Sequence, residues 1–276
     1  MRTWFITGAS RGFGSLIAER ALRAGDAVIA TARNPQDITD RLGEQPNLLA
    51  VRLDVTREDE AHQAVAEGIK RFGRIDVLIN NAGFGVLGAV EETSASETER
   101  LFATNVFGLL NVTRAVLPPM RAQRSGRVIN ISSIGGYQAY MGWGVYGSTK
   151  FAVEGITEAL HQELAPLGIQ ATVVEPGFFR TDFLDEQSLI KTRLELADYD
   201  ETVGKMRAFA EAANHAQPGD PLKLAEAMLA LVNAPNPPLR LALGSDTVAR
   251  IEAKNRLVAQ ELAEWNELAL STDFAN

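Results

Sequence analysis

The sequence has no cysteine among its 276 residues. That excludes disulfides, thiolate nucleophiles and cysteine-ligated metals, and it fits a reducing compartment. Histidine is nearly as scarce. His62, His161 and His215 show no His-x-x-x-His spacing, so no metal site is expected. Basic charge is in deficit: 27 Lys and Arg stand against 35 Asp and Glu, a formal net charge of -8, which argues against broad affinity for phosphate backbones or anionic lipid. Met1-Arg2-Thr3 leads straight into Trp4-Phe5-Ile6-Thr7-Gly8, too short for a signal-peptide core, and no apolar run approaches the ~20 residues of a spanning helix. Neither nucleic acid nor a membrane is an expected partner, and a cytoplasmic location is the expectation. Internal repeats and low-complexity tracts are also missing.

What is present is ordinary globular material, 46% hydrophobic and 22% charged, enough for one large α/β domain or two small ones. Short β-branched runs at residues 3–7, 27–31, 48–53, 77–80, 127–131 and 170–174 read as strands. Between them, residues 13–24, 58–72, 97–121 and 146–167 carry the 3.6-residue period of helices. Strict alternation of this kind predicts one Rossmann-like, doubly wound α/β domain over residues 1–276, its parallel sheet covered by helices on both faces. Gly25 and Gly168 are the stop signals after two of the helices. Past Pro176 the pattern loosens: residues 182–217 read as a helical lid with no strand, residues 222–232 as an amphipathic helix, 239–243 as a seventh strand and 246–270 as a last helix. The acidic runs Glu58-Asp59-Glu60 and Glu91-Glu92 read as solvated charges at helix starts.

The loop Gly8-Ala9-Ser10-Arg11-Gly12-Phe13-Gly14 follows the first strand and opens the first helix. Such a turn leaves backbone N–H groups and the positive end of the helix dipole facing its occupant, which a pyrophosphate satisfies. Gly8 permits the tight turn, Gly12 the approach of a phosphate, and Gly14 the packing of helix on strand. At the end of the second strand, Ala30-Thr31-Ala32-Arg33-Asn34 has no acid to take a ribose 2′-hydroxyl; Asp26 comes too early and Asp37 lies beyond Pro35. Arg33, with Arg11, can instead clamp a 2′-phosphate, so NADP(H) is favoured over NAD(H).

Tyr146 and Lys150 stand four residues apart on one helical face, thirteen residues after Ser133. A phenol beside a fixed ammonium is a tunable acid. Bringing a Tyr from ~10 to ~7 requires about 4 kcal/mol, and one ammonium at ~5 Å supplies about 3 kcal/mol at an effective dielectric of ~20. Hydride transfer to a carbonyl places negative charge on oxygen, which needs a proton donor, Tyr146, and a polarising donor, Ser133. Gly-x-x-x-Gly-x-Gly and Tyr-x-x-x-Lys together resemble the short-chain dehydrogenase/reductase family, in its compact branch.

The resemblance runs from about residue 3 to residue 181 and implies a catalytic tetrad of Asn105, Ser133, Tyr146 and Lys150. In it Lys150 bonds the nicotinamide ribose, and Asn105 holds a water that links Lys150 to solvent. It further implies that Asp54 and Val55 border the adenine pocket, that Asn81-Ala82-Gly83 stabilises the sheet beside the cofactor, and that Pro176-Gly177 with Thr181 holds the carboxamide. A homodimer or homotetramer through the helices of Asn105 and Tyr146 is implied too. Ala30-Thr31-Ala32-Arg33 and the long tail look most like the hydroxysteroid and retinol dehydrogenase-like branch.

The substrate wall is expected from Tyr140, Trp143, Phe84, Phe178, Phe179, Phe183 and Leu184, which fits a small lipophilic or aromatic ketone or aldehyde and its alcohol. Enoyl reductase or epimerase chemistry on the same fold, or a non-enzymatic NADP(H) sensor, are the competing readings. The intact tetrad favours the ketone/aldehyde reductase.

Overall fold

The computed structural model describes residues 1–274. Seven strands form one parallel sheet: β1 (Thr3–Thr7), β2 (Ala27–Ala32), β3 (Leu48–Arg52), β4 (Val77–Asn80), β6 (Gly126–Ile131), β7 (Ile169–Pro176) and β9 (Arg240–Leu243), in the order β3-β2-β1-β4-β6-β7-β9. The remaining two, β5 (Gly85–Leu87) and β8 (Leu189–Lys191), pair with each other. The helices are α1 (Gly12–Arg23), α2 (Gln36–Leu42), α3 (Glu58–Phe72), α4 (Ala95–Phe102), α5 (Leu109–Gln123), α6 (Gly144–Leu164), α7 (Lys205–Ala213), α8 (Pro221–Asn233), α9 (Ser245–Glu264) and α10 (Asn266–Leu270). After β3 the chain returns to the middle of the sheet at β4, so the strand order reverses between β1 and β4, and ligands bind at the carboxyl edge of such a switch point.

Both sheet faces are buried, which is why the strands read as continuous apolar runs. Trp4, Ile6, Val28 and Ile79 pack with Ile17 of α1 and Met228 of α8 on one face. The intervening Phe5, Ile29, Leu78 and Val128 pack with α3, α5 and α6 on the other. Each such side chain contributes about 1.5–3 kcal/mol on leaving water. Buried amide bonds then set the central register: Asn80 donates to Thr113 and to Asn130, and Asn130 donates to Thr157, each at 2.9 Å. This ties β4 and β6 to α5 and α6, the elements that carry the reactive side chains.

The expected seven-stranded Rossmann-like fold is what the structure shows, with four local corrections. First, α2 was not anticipated. Second, the helix around Asn105 runs from Ala95 to Gln123 through a π-type turn at Ala103–Gly108. It is long and apolar enough to span a membrane, but 56% of its most apolar window is buried in the fold, as a core helix requires. Third, residues 182–217 do contain a strand: β8 pairs in parallel with β5, Gly85 opposite Leu189 and Leu87 opposite Lys191. Fourth, Glu92 is not a solvated helix-start charge. It is buried, accepts from the Ala89 and Leu196 amides at 2.7 and 2.8 Å, and pairs with Arg207 at 2.6 Å. Burial pushes its carboxyl upward, but those amides and the guanidinium together hold it below the usual carboxylate range. Glu58, Asp59 and Glu60 do open α3 as expected.

Candidate active site

One cleft of ≈ 1240 Å³ runs along the carboxyl edge of the sheet. Every site residue expected from the sequence borders it except Gly14 and Asn105.

At one end the backbone shapes the cleft. Gly8 and Gly12 take φ of +64° and +54°, the left-handed region that side chains disfavour. A Cβ on Gly14 would run into the Gly8 carbonyl, so Gly14 acts from behind the loop. Asn81 is the clasp, its amide donating to Thr7 O at 2.9 Å and Gly8 O at 3.1 Å while Thr7 Oγ1 accepts from the Asn81 and Ala82 amides. Helix α1 starts at Gly12 with no side-chain cap and no acid in its first turn. Its leading amides therefore face the cleft with nothing from the chain to satisfy them, and a Cβ on Gly12 would meet nothing within 4 Å. A dinucleotide pyrophosphate fits that cradle.

Beyond the loop, Arg33 borders the cleft as expected, and so do Ala32, Asp54 and Val55. Asp54 caps its own turn through Thr56 at 2.8–3.0 Å. Asp37 also reaches the cleft, with its carboxylate held by the Asn34 amide at 2.6 Å. Arg11 borders the cleft as well. Its guanidinium crosses the cleft to Gln187, at 2.5 Å to the side chain and 2.8 Å to the carbonyl, so residues 182–217 are latched to the glycine loop.

At the centre, Tyr146 and Lys150 project from the first turns of α6, both buried. Ser133 follows β6 and caps the next turn, its oxygen accepting from Gly135 N at 3.0 Å; its proton stays available for a substrate oxygen. Burial pushes the Tyr146 phenol above its ordinary value, and the Ser133 hydroxyl offsets only part of this. Lys150 does not bring the phenol below its ordinary value. Its ammonium lies 5.8 Å from the Tyr146 ring centre and donates to Ile131 O at 2.9 Å. Burial pushes Lys150 itself down to about 8, against the opposing field of Glu154 one turn on. Desolvation outweighs the single charge pair that the sequence made visible.

Asn105 stands behind the cleft wall, in the π-type turn. Its oxygen accepts from Phe84 N at 3.1 Å, and its amide donates to Phe84 O and Thr149 Oγ1 at 3.0 and 3.1 Å. The side chain thus clasps Phe84 to α6.

Tyr140, Trp143, Phe84, Phe178, Phe183 and Leu184 border the other end. Trp143 meets Tyr146 edge-on at 5.7 Å and stacks on Phe183 at 6.4 Å. Phe179 borders the cleft nearer the glycine loop: its ring packs edge-on against Phe13 at 5.6 Å, and it pairs with Gly219. Asp246 at the start of α9 was missed. Its carboxylate accepts from Phe178 N at 2.9 Å and fills the space beside Gly177, fixing the Pro176–Thr181 segment from outside. Only its place in the first turn after Gly244 hinted at a clamp. Among the described residues no group of His, Asp or Glu is arranged to hold a metal.

The family model for short chain dehydrogenases matches residues 2–190. The chain belongs to that family. It is 40% identical over 276 residues to an oxidoreductase, BOA17, of Botryotinia fuckeliana, covering 98% of this chain and 99% of that protein. It is 39% identical over 240 residues to a 3-ketodihydrosphingosine reductase of Bacteroides thetaiotaomicron, covering 87% and 86%. A crystal structure of a short-chain dehydrogenase from Streptomyces avermitilis superimposes with a TM-score of 0.92 at 42% identity over 99% of both chains. Relatives of known structure hold either coenzyme. A serine dehydrogenase complexed with NADP+ matches at 29% identity, TM-score 0.73, over 87% of this chain and 94% of its own. A 3-ketoacyl-(acyl-carrier-protein) reductase of Brucella melitensis complexed with NADH matches at 25%, TM-score 0.73, over 88% and 96%. An oxidoreductase of the alcohol–carbonyl type, using a nicotinamide nucleotide and a small-molecule substrate, is what these findings establish.

Proposed function

We propose that the chain is an NADP(H)-preferring reductase of lipophilic or aromatic ketones and aldehydes, with Tyr146 as the proton donor. The observation that carries this reading is the convergence of Ser133, Tyr146 and Lys150 beneath an aromatic wall on one cleft. The reduced nicotinamide, when bound, supplies the hydride. Gly8 to Phe13 would hold its pyrophosphate, Arg33 its 2′-phosphate, and Lys150 its ribose. Ser133 donates to the carbonyl oxygen and polarises it. Tyr146, held protonated by burial, gives up its proton as charge gathers on that oxygen. An alkoxide is a far stronger base than a phenolate, so the transfer runs downhill even from a raised phenol. Lys150, at about 8, is mostly protonated at neutral pH and stabilises the phenolate that remains. A phenol kept protonated favours the reductive direction.

NADP(H) preference rests on Arg33 at the cleft and on Ala32, where an acid would take a ribose hydroxyl. Phe107 and Phe151 are 57% and 45% exposed on the helices that carry Asn105 and Tyr146, and exposed aromatics of that size support a homo-oligomer through those faces. The cytoplasm suits a chain without cysteine.

The test is NADPH and NADH oxidation with purified protein against a panel of ketones and aldehydes. Turnover of lipophilic members, with kcat/KM at least about tenfold higher for NADPH, is expected from a charge-assisted phosphate contact. No turnover on the panel overturns the reductase reading; a preference for NADH overturns the coenzyme assignment.

A further inference from the structure

Two buried polar atoms on the walls of the cleft have no hydrogen-bond partner in the fold, Trp143 Nε1 and Gln217 Oε1, and the Tyr140 hydroxyl has only the Arg250 guanidinium beside it. Trp143 is 7% exposed and Gln217 3%. A pocket meant only for hydrocarbon would be served better by Phe or Leu at these positions, because a buried polar group without a partner destabilises the fold. Their retention points to polar atoms on the ligand itself.

A cation stands beside Tyr140. Arg250 of α9 borders the cleft with its guanidinium over the Tyr140 ring, 5.0 Å from the centre. Among the described residues no carboxylate comes within 4.0 Å of it. Asp246, one turn earlier, is engaged by the Phe178 amide. The acids that border the cleft nearby, Asp182 and Glu186, belong to the 182–217 segment, where Gln187 is held across the glycine loop by Arg11. Asn255 of α9 accepts from Tyr137 at 2.5 Å, pinning the helix over the segment that leads to Tyr140 and Trp143. Guanidinium, phenol and indole are all donors, and their shared complement is an oxyanion. The Trp143 ring that carries one of them lies 5.7 Å from the Tyr146 ring, so one small molecule can reach both.

We propose that Arg250, Tyr140 and Trp143 form a carboxylate subsite, and that the preferred substrate is a ketone or aldehyde carrying a carboxylate away from the reacting carbonyl. The inference rests on the reductase reading for its chemistry, while the subsite itself is a matter of binding. Aromatic or aliphatic carbon between the two ends would lie along Trp143 and Phe183, stacked at 6.4 Å.

The probes are para-acetylphenyl alkanoates with no to four methylenes before the carboxylate, each paired with its methyl ester. Binding by calorimetry and reduction by NADPH oxidation are measured on wild type, Arg250→Met, Arg250→Glu and Trp143→Phe. For at least one chain length the acid should bind about tenfold or more tighter than its ester, the usual scale of a charge-assisted pair. The acid-to-ester ratio should fall to near unity in Arg250→Met and invert in Arg250→Glu, and Trp143→Phe should weaken the acid more than the ester. Arg250 is exposed, so its variants should fold. Equal binding of acid and ester at every length, or an undiminished ratio in Arg250→Met, overturns the subsite. Arg250-dependent binding of the acid with no reduction of any probe would leave the subsite standing and remove the reductase; reduction without acid preference would do the reverse.

Discussion

At the glycine-loop end of the cleft the main chain makes the site: two left-handed glycines, an uncapped helix start and the Asn81 clasp, all within residues 7–82. At the other end side chains make it. The wall there is held by Glu92 with Arg207, by Asp246 on the Phe178 amide, and by Asn105 on Phe84, contacts that join segments from β5 to α9. Between them stand Ser133, Tyr146 and Lys150, whose helix is fixed by the central sheet. The contrast teaches where change is tolerated. A backbone cradle accepts any molecule with the right phosphates, whereas a wall of side chains selects by its particular groups and can be altered one group at a time.

The largest effect is expected where both ends meet. Tyr146→Phe keeps the ring that packs on Trp143 and removes only the proton donor, so kcat should fall about 10²-fold or more. Coenzyme affinity, a property of the loop end, should hardly move. Near-normal kcat in the variant would sink the catalytic assignment. Arg207→Met comes next and should act on the wall alone. It leaves Glu92 buried without its counter-charge, and breaking one side of a buried pair costs about 3–5 kcal/mol. Hydrogen exchange should quicken across residues 189–207 while the amides of residues 8–14 keep their rates. Uniform acceleration over the whole chain would erase the distinction between the two ends.

That contrast also explains what was legible in the sequence. The six strands of the main sheet before residue 177, the Gly8 to Gly14 turn, and Ser133 with Tyr146 and Lys150 are written in local periods and short spacings, and all lie where expected. Strand β8 was invisible because three residues, Leu189-Ile190-Lys191, carry no period; only their pairing with Gly85–Leu87 makes them a strand. Glu92 looked like a surface acid because its partner Arg207 lies 115 residues away. The direction of the tyrosine shift is hidden for a related reason. Spacing revealed the ammonium four residues on, but the desolvation that outweighs it belongs to the assembled core. The Arg11 contact with Gln187, 176 residues away, likewise has no local signal.

Arg33→Ala tests whether a side chain also discriminates at the backbone end. Loss of a charge-assisted contact should lower kcat/KM for NADPH about 10- to 100-fold and leave NADH nearly unchanged. Ala32→Asp should carry the preference toward NADH by repelling the phosphate and accepting from a ribose hydroxyl. Equal losses with both coenzymes in Arg33→Ala would mean that this end reads only pyrophosphate. A smaller effect concerns pH. Lys150 must be protonated to support the phenolate, so ketone reduction should decline as pH rises through about 8. Since the Glu154 field raises Lys150, Glu154→Gln should move that decline to lower pH; movement to higher pH would contradict the assigned sign.

The smallest effect belongs to the contact that joins the two ends. Arg11 holds Gln187 through two exposed hydrogen bonds, and solvent-exposed bonds of this kind change affinities only about two- to fivefold. If Arg11 is a latch, Arg11→Ala and Gln187→Ala should raise KM for NADPH and NADH alike. Gln187→Ala should have the weaker effect, because the bond to its main-chain carbonyl survives. If Arg11 instead reads the 2′-phosphate, its removal should damage NADPH alone, and Gln187→Ala should change neither coenzyme. Measuring KM for both coenzymes on the two variants therefore decides whether Arg11 belongs to the cradle that binds or to the wall that closes over it.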